Sequence, residues 1–177
     1  MQTLSRTFSR TLLLVSLVCV SFSAHAYEVG KPFQGGTIFW VDSQNRHGLI
    51  GAPIDSNGTF TWTNDYKFTG ATSIDMYGGK ANTDRILYYS DMGQTYAALK
   101  ASHNSSGNYH DWYLPNVAEL EVMISTGAMD GLEQACYWSS NEADKYTAYA
   151  VYYPSSNSNI VRFDKHDECK VRAIRRF

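Results

Sequence analysis

The sequence predicts an α+β fold, and three observations along the chain of 177 residues support this prediction. Two short apolar runs within residues 35–52 favour a β-hairpin, whereas residues 82–127 carry apolar residues at helical spacing. The final segment, 136–177, alternates between apolar and polar residues, as strands do. Helices and strands that are segregated along the chain in this way are typical of α+β folds.

Residues 1–26 have the pattern of a secretory signal peptide. Arg6 and Arg10 precede an apolar run over 11–20, and the stretch ends in Ala-His-Ala. This apolar run is too short to span a bilayer, and the small-x-small ending marks a cleavage site. We therefore predict cleavage after Ala26 and a single domain over 27–177, secreted or retained in the periplasm. No later apolar run is long enough for a membrane span.

The charge of the predicted domain is acidic overall and basic at its end. Removing Arg6 and Arg10 from the 15 basic side chains leaves 13 against 17 acidic ones, a net charge of −4. Residues 161–177 reverse this balance with six basic and three acidic side chains. An acidic domain is a poor candidate for general nucleic-acid binding, so no nucleic-acid partner is expected.

The first elements are predicted from turn residues and β-branched runs. The runs GGTIFWVD (35–42) and GLIGA (48–52) flank a polar turn and predict a β-hairpin. A turn at Asn57-Gly58 precedes a short predicted strand over 59–62.

Three helical stretches are predicted in the middle of the chain. Asn82 or Thr83 is a suitable cap for a first helix, Gly93 interrupts the pattern, and it resumes over 96–101. Asn116 and Glu119 then have the spacing of a capping box. The apolar face of this last helix is formed by Val117, Leu120, Met123 and Ile124, and Gly127 is a suitable stop.

The final segment is predicted to be a succession of strands over 137–139, 146–153, 160–165 and 170–177, with a turn at 154–159. Cys136 and Cys169 are the two cysteines that remain after cleavage. An even number of cysteines in an exported chain predicts a disulfide between them. The two cysteines lack the C-x-x-C spacing that would indicate a redox or metal pair.

Six motifs along the chain carry a resemblance to a known family. They are GGTIFWVD (35–42), HGLIGAP (47–53), GKANT (79–83), DWYLP followed by NxxELE (111–121), YWSSNE (137–142) and VRAIRRF (171–177). In this order they resemble the C-terminal domain family of the Legionella collagen-like adhesin. The resemblance implies a C-type-lectin-like fold, in which two main helices pack on one mainly antiparallel sheet and the last strand returns to pair near the start of the domain. It also implies a bacterial adhesion domain that binds sulfated glycans and forms homo-oligomers.

The candidate ligand-binding residues are basic side chains of the last segment. They are Arg162, Lys165, Lys170, Arg172 and Arg176. In an extended strand, Lys170, Arg172 and Arg176 would share one face, which suits a sulfate or a carboxylate. The alternative is a solvated face paired with nearby acids, with at least one arginine buried for structural reasons.

Two other groups of residues are candidates for a sugar-binding or calcium site. Trp112 and Trp138 are able to stack on sugars, although their apolar neighbours predict that they belong to the core. Asn141, Glu142 and Asp144 carry oxygen atoms suited to calcium. The sequence instead favours a solvated turn here, in which Glu142 pairs with an arginine of a terminal strand.

These observations predict a non-catalytic binding module with no required cofactor. The sequence holds no nucleophile–base pair and no metal-ligand spacing that would indicate an enzyme. The expected partner is a glycan, acidic or sulfated, or another surface ligand. The alternative is a protein-interaction or assembly domain.

Overall fold

A computed structural model describes residues 26–90, 93–154 and 160–177. The predicted signal peptide, apart from Ala26, and most of the predicted turn at 154–159 lie outside these residues. The helices are α1 (Gly78–Tyr89), α2 (Ala97–Ser102) and α3 (Val117–Ser125). The strands are β1 (Pro32–Phe33), β2 (Gly36–Val41), β3 (Gly48–Gly51), β4 (Ala135–Glu142), β5 (Thr147–Tyr153), β6 (Ile160–Asp164) and β7 (Ile174–Arg176).

The strands form two antiparallel sheets, one ordered β1-β2-β3-β7 and the other β4-β5-β6. The predicted hairpin is confirmed as β2 and β3, with a bulge between Ile38 and Trp40. The predicted return of the last strand is also confirmed, because Leu49 of β3 pairs with Arg176 of β7. This strand is shorter than expected, since only Ile174–Arg176 of residues 170–177 form a strand, and Lys170 takes part in an isolated bridge.

The expected C-type-lectin-like arrangement is wrong. Instead of two helices on one sheet, the described residues form three α-helices and two separate sheets, and the fold is mostly β. Isolated bridges replace ladders between the sheets, for example Phe60 with Cys169 and Tyr137 with Lys170. The strand predicted over 59–62 is therefore reduced to the single bridge at Phe60.

Buried indoles fill the space where a continuous sheet was expected. Trp62 donates its indole N–H to the Ser139 carbonyl at 2.8 Å, and Trp138 donates to the Phe60 carbonyl at 2.7 Å. Trp112 and Trp138 are both fully buried, so the prediction that they belong to the core is confirmed. Because these indole N–H groups donate to backbone carbonyls, segments without regular secondary structure can be buried without leaving those carbonyl oxygens unpaired.

Helix α3 begins as predicted, whereas α1 does not. The side chain of Asn116 accepts from the Glu119 N–H at 2.9 Å, and Glu119 accepts from the Asn116 N–H at 2.8 Å. Helix α1 starts at Gly78, so the predicted caps Asn82 and Thr83 lie within it. The start is set by tertiary packing, because a Cβ on Gly79 would lie 2.2 Å from a Glu119 carboxylate oxygen.

The predicted disulfide between Cys136 and Cys169 is confirmed. It joins β4 to the segment between β6 and β7, with the two Cα atoms 5.1 Å apart. Among the residues that the structure describes, no helix is both long and apolar enough to cross a membrane.

Candidate functional site

The structure separates the predicted basic residues instead of gathering them on one face. Arg172 is buried, and its Nε donates to Oδ1 of Asp55 at 2.5 Å. Its Nη1 and Nη2 donate to the carbonyls of Ala52 and Gly131 at 2.9 and 3.0 Å. A guanidinium that is fully bonded inside the protein cannot reach a ligand in solvent, so the predicted face of Lys170, Arg172 and Arg176 does not form.

Lys165 is also buried, which corrects its assignment to a ligand-binding surface. Its Nζ lies 2.6 Å from Oε1 of Glu142, 2.8 Å from the Lys67 carbonyl and 4.8 Å from the centre of the Trp62 ring. The Glu142 carboxylate also accepts from the N–H groups of Thr69 and Gly70. The prediction that Glu142 lies in a solvated turn beside an arginine is therefore wrong.

Asn141 and Asp144, the other two residues with oxygen atoms suited to calcium, have protein partners. Oδ1 of Asn141 accepts from the Val117 N–H at 2.7 Å. Oδ1 of Asp144 accepts from the N–H groups of Tyr146 and Thr147, each at 2.8 Å. These contacts give both side chains a structural role at the start of α3 and in the β4–β5 turn.

Arg162 and Lys170 lie nearer the surface, and both are paired. The guanidinium of the half-exposed Arg162 bonds the carboxylate of Asp144 and the hydroxyl of Thr147. Nζ of Lys170 lies 2.8 Å from a carboxylate oxygen of Glu133. Paired cations of this kind offer less to an external anion than an unpaired one does.

Arg176 is the one residue of the predicted set that remains available. It is exposed, and across residues 26–90, 93–154 and 160–177 no carboxylate lies within ion-pair distance of it. Its side chain lines a cleft of about 410 Å³ between α1 and β7, here termed the α1–β7 cleft. The polar and aromatic residues that line it are Tyr77, Lys80, Asp84, Asp111, Tyr113 and Arg176.

The two acidic groups of the α1–β7 cleft are each bonded to a cation. Lys80 lies 2.6 Å from Asp84 one helical turn away. Arg175 binds Asp111 in a bidentate manner, with N–O distances of 2.7 and 2.9 Å, and its guanidinium carbon lies 3.9 Å from the centre of the Tyr109 ring. The hydrogen bond from Arg175 lowers the pKa of Asp111. Arg176 is therefore the cation of the cleft lining that has no carboxylate partner among the described residues.

Tyr77 forms an aromatic wall beside Arg176. The guanidinium carbon of Arg176 lies 6.0 Å from the Tyr77 ring centre, and Trp40 packs edge-on against the same ring at 5.6 Å. Tyr77 has φ 74° and ψ 0°, a left-handed conformation that costs energy in a residue other than glycine. The surrounding contacts hold it at the start of α1, where its ring faces the cleft.

Glu119 lies buried below the cleft and joins α3 to the start of α1. Besides its capping bond, it accepts from the Tyr113 hydroxyl at 3.2 Å. Burial raises the pKa of Glu119 to about 7, although bonds from the N–H of Asn116 and the Tyr113 hydroxyl lower it. Burial together with the Glu119 charge also raises the pKa of Tyr113.

The raised pKa of Glu119 predicts a pH-dependent stability. A carboxyl group whose folded pKa exceeds its unfolded value favours the folded state at low pH, and this contribution is lost as pH rises towards the folded pKa. Because of this group, we expect the free energy of unfolding to decrease as the pH rises from 4.5, the ordinary pKa of a glutamate, to about 7, the pKa of Glu119 in the folded protein. In Glu119→Gln, which keeps a capping-box acceptor, this decline should be reduced. Urea denaturation at several pH values measures it.

Glu121→Gln is the matched control, since Glu121 lies in the same helix and is only half-buried. The control should keep the slope of stability against pH that the unmodified protein has. Parallel curves for Glu119→Gln and the unmodified protein would contradict the assignment of the slope to Glu119.

Sequence reasoning missed most of the cleft. Tyr77 and Lys80 lie before the predicted start of the first helix at Asn82 or Thr83, and no pairing of Asp111 with Arg175 was predicted. The i, i+4 spacing of Lys80 and Asp84 was an available signal for a helical ion pair. No local signal links Asp111 to Arg175, which are 64 residues apart.

No protein-family model and no curated protein matches the chain. Among solved structures, it is similar to a fimbrial protein from Bacteroides ovatus, with a TM-score of 0.53 and 16% sequence identity. The match covers 78% of this chain and 43% of that one, so the chain spans less than half the length of the fimbrial protein. At this identity the likeness concerns the fold alone, and it provides no support for the C-type-lectin-like arrangement.

Proposed function

We propose that the protein is a non-catalytic, surface- or adhesion-related binding module, and that its α1–β7 cleft binds an anionic group of a glycan. The observation that carries this proposal is Arg176, an exposed cation without a carboxylate partner among the described residues, at the edge of a cleft with an aromatic wall. Its guanidinium is free to form two parallel hydrogen bonds to a carboxylate or a sulfate.

The neighbouring side chains support the same chemistry. Lys80 lies in the same cleft and is half-exposed, so it is able to turn from Asp84 towards a bound anion. Tyr77 is partly exposed and offers apolar ring surface next to these donors, as expected for a site that accepts a sugar ring bearing an acidic group. One unpaired guanidinium suits a single carboxylate or sulfate better than a polyanion.

Two broader observations support the surface and adhesion part of the proposal. A disulfide is typical of proteins that act outside the reducing cytoplasm, in the periplasm or the extracellular space. The solved structure of similar fold is that of a fimbrial protein, which agrees with an adhesion-related role. The motif resemblance to the collagen-like adhesin family is the reason to place glycans first among the ligands.

Arg176→Gln should weaken the binding of a sulfated or uronic-acid oligosaccharide at least about tenfold, which corresponds to about 1.4 kcal/mol. The reason is the loss of a charge-assisted bidentate contact, while the neutral side chain keeps a similar size. The measurement is isothermal titration calorimetry with the acidic oligosaccharide that binds best on an array, at low and physiological salt.

Lys31→Gln is the control, because Lys31 is exposed and paired with Glu28 outside the cleft. Its affinity for the acidic oligosaccharide should equal that of the unmodified protein. An equal loss in both variants would indicate a non-specific charge effect, and the cleft would not be the site. If no acidic oligosaccharide binds, the alternative of a protein-interaction domain is favoured, for which the exposed side chains of Phe68 and Ile74 supply apolar surface.

A further inference from the structure

Three aromatic side chains from three different loops meet at one end of the sheet β4-β5-β6. Tyr66 precedes α1, Tyr146 lies in the β4–β5 turn, and His166 follows β6. The Tyr66 and His166 rings are stacked with centres 4.2 Å apart, and Tyr146 contacts Tyr66 edge-on at 5.2 Å. These three rings are here termed the aromatic platform.

Carboxylates hold the platform in place. Oδ1 of Asp164 accepts from the Tyr66 hydroxyl at 2.7 Å and from the His166 N–H at 2.9 Å. Oδ1 of Asp144 accepts from the Tyr146 N–H at 2.8 Å. The rings are therefore positioned before any ligand arrives, which lowers the entropic cost of binding.

The buried ion pair supports the platform from below. Lys165 adjoins His166, and its ammonium group binds Glu142 and the Lys67 carbonyl. Glu142 also binds the N–H of Thr69, just after Tyr66 along the chain. The loop that carries Tyr66 is thereby fastened to the loop that carries His166 through groups that are out of contact with solvent.

The platform faces solvent and has a polar rim. Tyr146 is 53% exposed, so its ring is not part of the core. Next to the rings lie Asp144, Asp164 and Asp167 as hydroxyl acceptors, and Lys145 and Arg162 as donors. The three acids outnumber the two permanent cations, which disfavours a sulfated or carboxylated ligand.

We infer that the aromatic platform is a second binding site, which takes a neutral pyranose ring. The apolar C–H face of a pyranose stacks on an exposed tyrosine, while its hydroxyl groups donate to carboxylates and accept from a guanidinium. This site is separate from the α1–β7 cleft and goes beyond the proposed function, because its ligand carries no charge. Together the two sites would let one glycan chain contact the protein through an acidic unit and a neutral unit.

The test is titration of the full protein with a panel of neutral oligosaccharides of glucose, galactose, mannose and N-acetylglucosamine. We expect at least one to bind with a dissociation constant in the millimolar range or tighter. Tyr146→Ala should weaken this binding at least about tenfold, or about 1.4 kcal/mol. Tyr146→Phe keeps the ring and should retain binding within about twofold, a difference of about 0.4 kcal/mol.

Tyr88→Ala is the matched control, since Tyr88 is 80% exposed on α1 and lies outside the platform. It should leave the binding of neutral oligosaccharides unchanged. Absence of binding across the panel, or full binding by Tyr146→Ala, would overturn the inference. Arg176→Gln separates the two sites, because it should weaken acidic ligands and spare neutral ones, whereas Tyr146→Ala should do the reverse.

Discussion

Replacing Arg172 by methionine is expected to lower the free energy of unfolding by about 3–5 kcal/mol, the range for breaking a buried ion pair. The side chain of Arg172 is fully buried, and that of its partner Asp55 is 6% exposed. Removal of the guanidinium leaves the Asp55 carboxylate in a poorly solvated site, where only the Tyr137 hydroxyl at 2.6 Å still donates to it. The carbonyls of Ala52 and Gly131 lose their donors as well.

Denaturation in urea at pH 7, followed by circular dichroism, measures this loss. Arg162→Met is the control, because Arg162 is half-exposed and its ion pair with Asp144 lies in solvent, where such pairs contribute little. If Arg172→Met were as stable as Arg162→Met, Arg172 would not have the structural role described above. Because the fold depends on Arg172, any loss of ligand binding in this variant must first be corrected for unfolded protein.

Replacing Lys165 by methionine is expected to have an effect of similar size, about 3–5 kcal/mol, because it leaves the buried Glu142 without its cation. The Lys165 side chain is 0% exposed and that of Glu142 is 3% exposed. The Glu142 carboxylate would keep only the backbone donors of Thr69 and Gly70. Thermal and urea denaturation of the variant measure the loss.

A double variant separates the unpaired charge from the lost packing. Glu142→Gln combined with Lys165→Met removes both charges, while the amide oxygen still accepts from the backbone N–H groups. We expect it to be more stable than Lys165→Met alone by about 1–2 kcal/mol. A double variant less stable than Lys165→Met would contradict this account. Lys145→Met, at an exposed position in the neighbouring turn, should change stability little.

Local sequence patterns correctly predicted those helices and strands that are specified by residues close together in the sequence. The capping box of Asn116 and Glu119 requires only a spacing of three residues, and the β2–β3 hairpin requires only two β-rich runs with a turn between them. The start of α1 was mispredicted for the opposite reason. It depends on the close approach of Gly79 to Glu119, which no local pattern reveals.

The candidate site was predicted less well than the elements. A count of basic residues in the last segment included Arg176, which is exposed, together with Lys165 and Arg172, which are buried. Alternation along a strand was assumed to bring Lys170, Arg172 and Arg176 to one surface. Only Ile174–Arg176 are paired as a strand, so this assumption failed.

By itself, the sequence determined the disulfide, the hairpin and the capped helix α3. Each of these depends on the number of cysteines, on local spacing or on an apolar alternation. Only the tertiary structure decided which cations are structural and which one is available. Arg172 and Asp55 are 117 residues apart, and Arg175 and Asp111 are 64 apart. A buried charge is costly unless it is paired with an opposite charge. The packing of the two sheets and of the loops between them determines which acidic side chain pairs with which basic one.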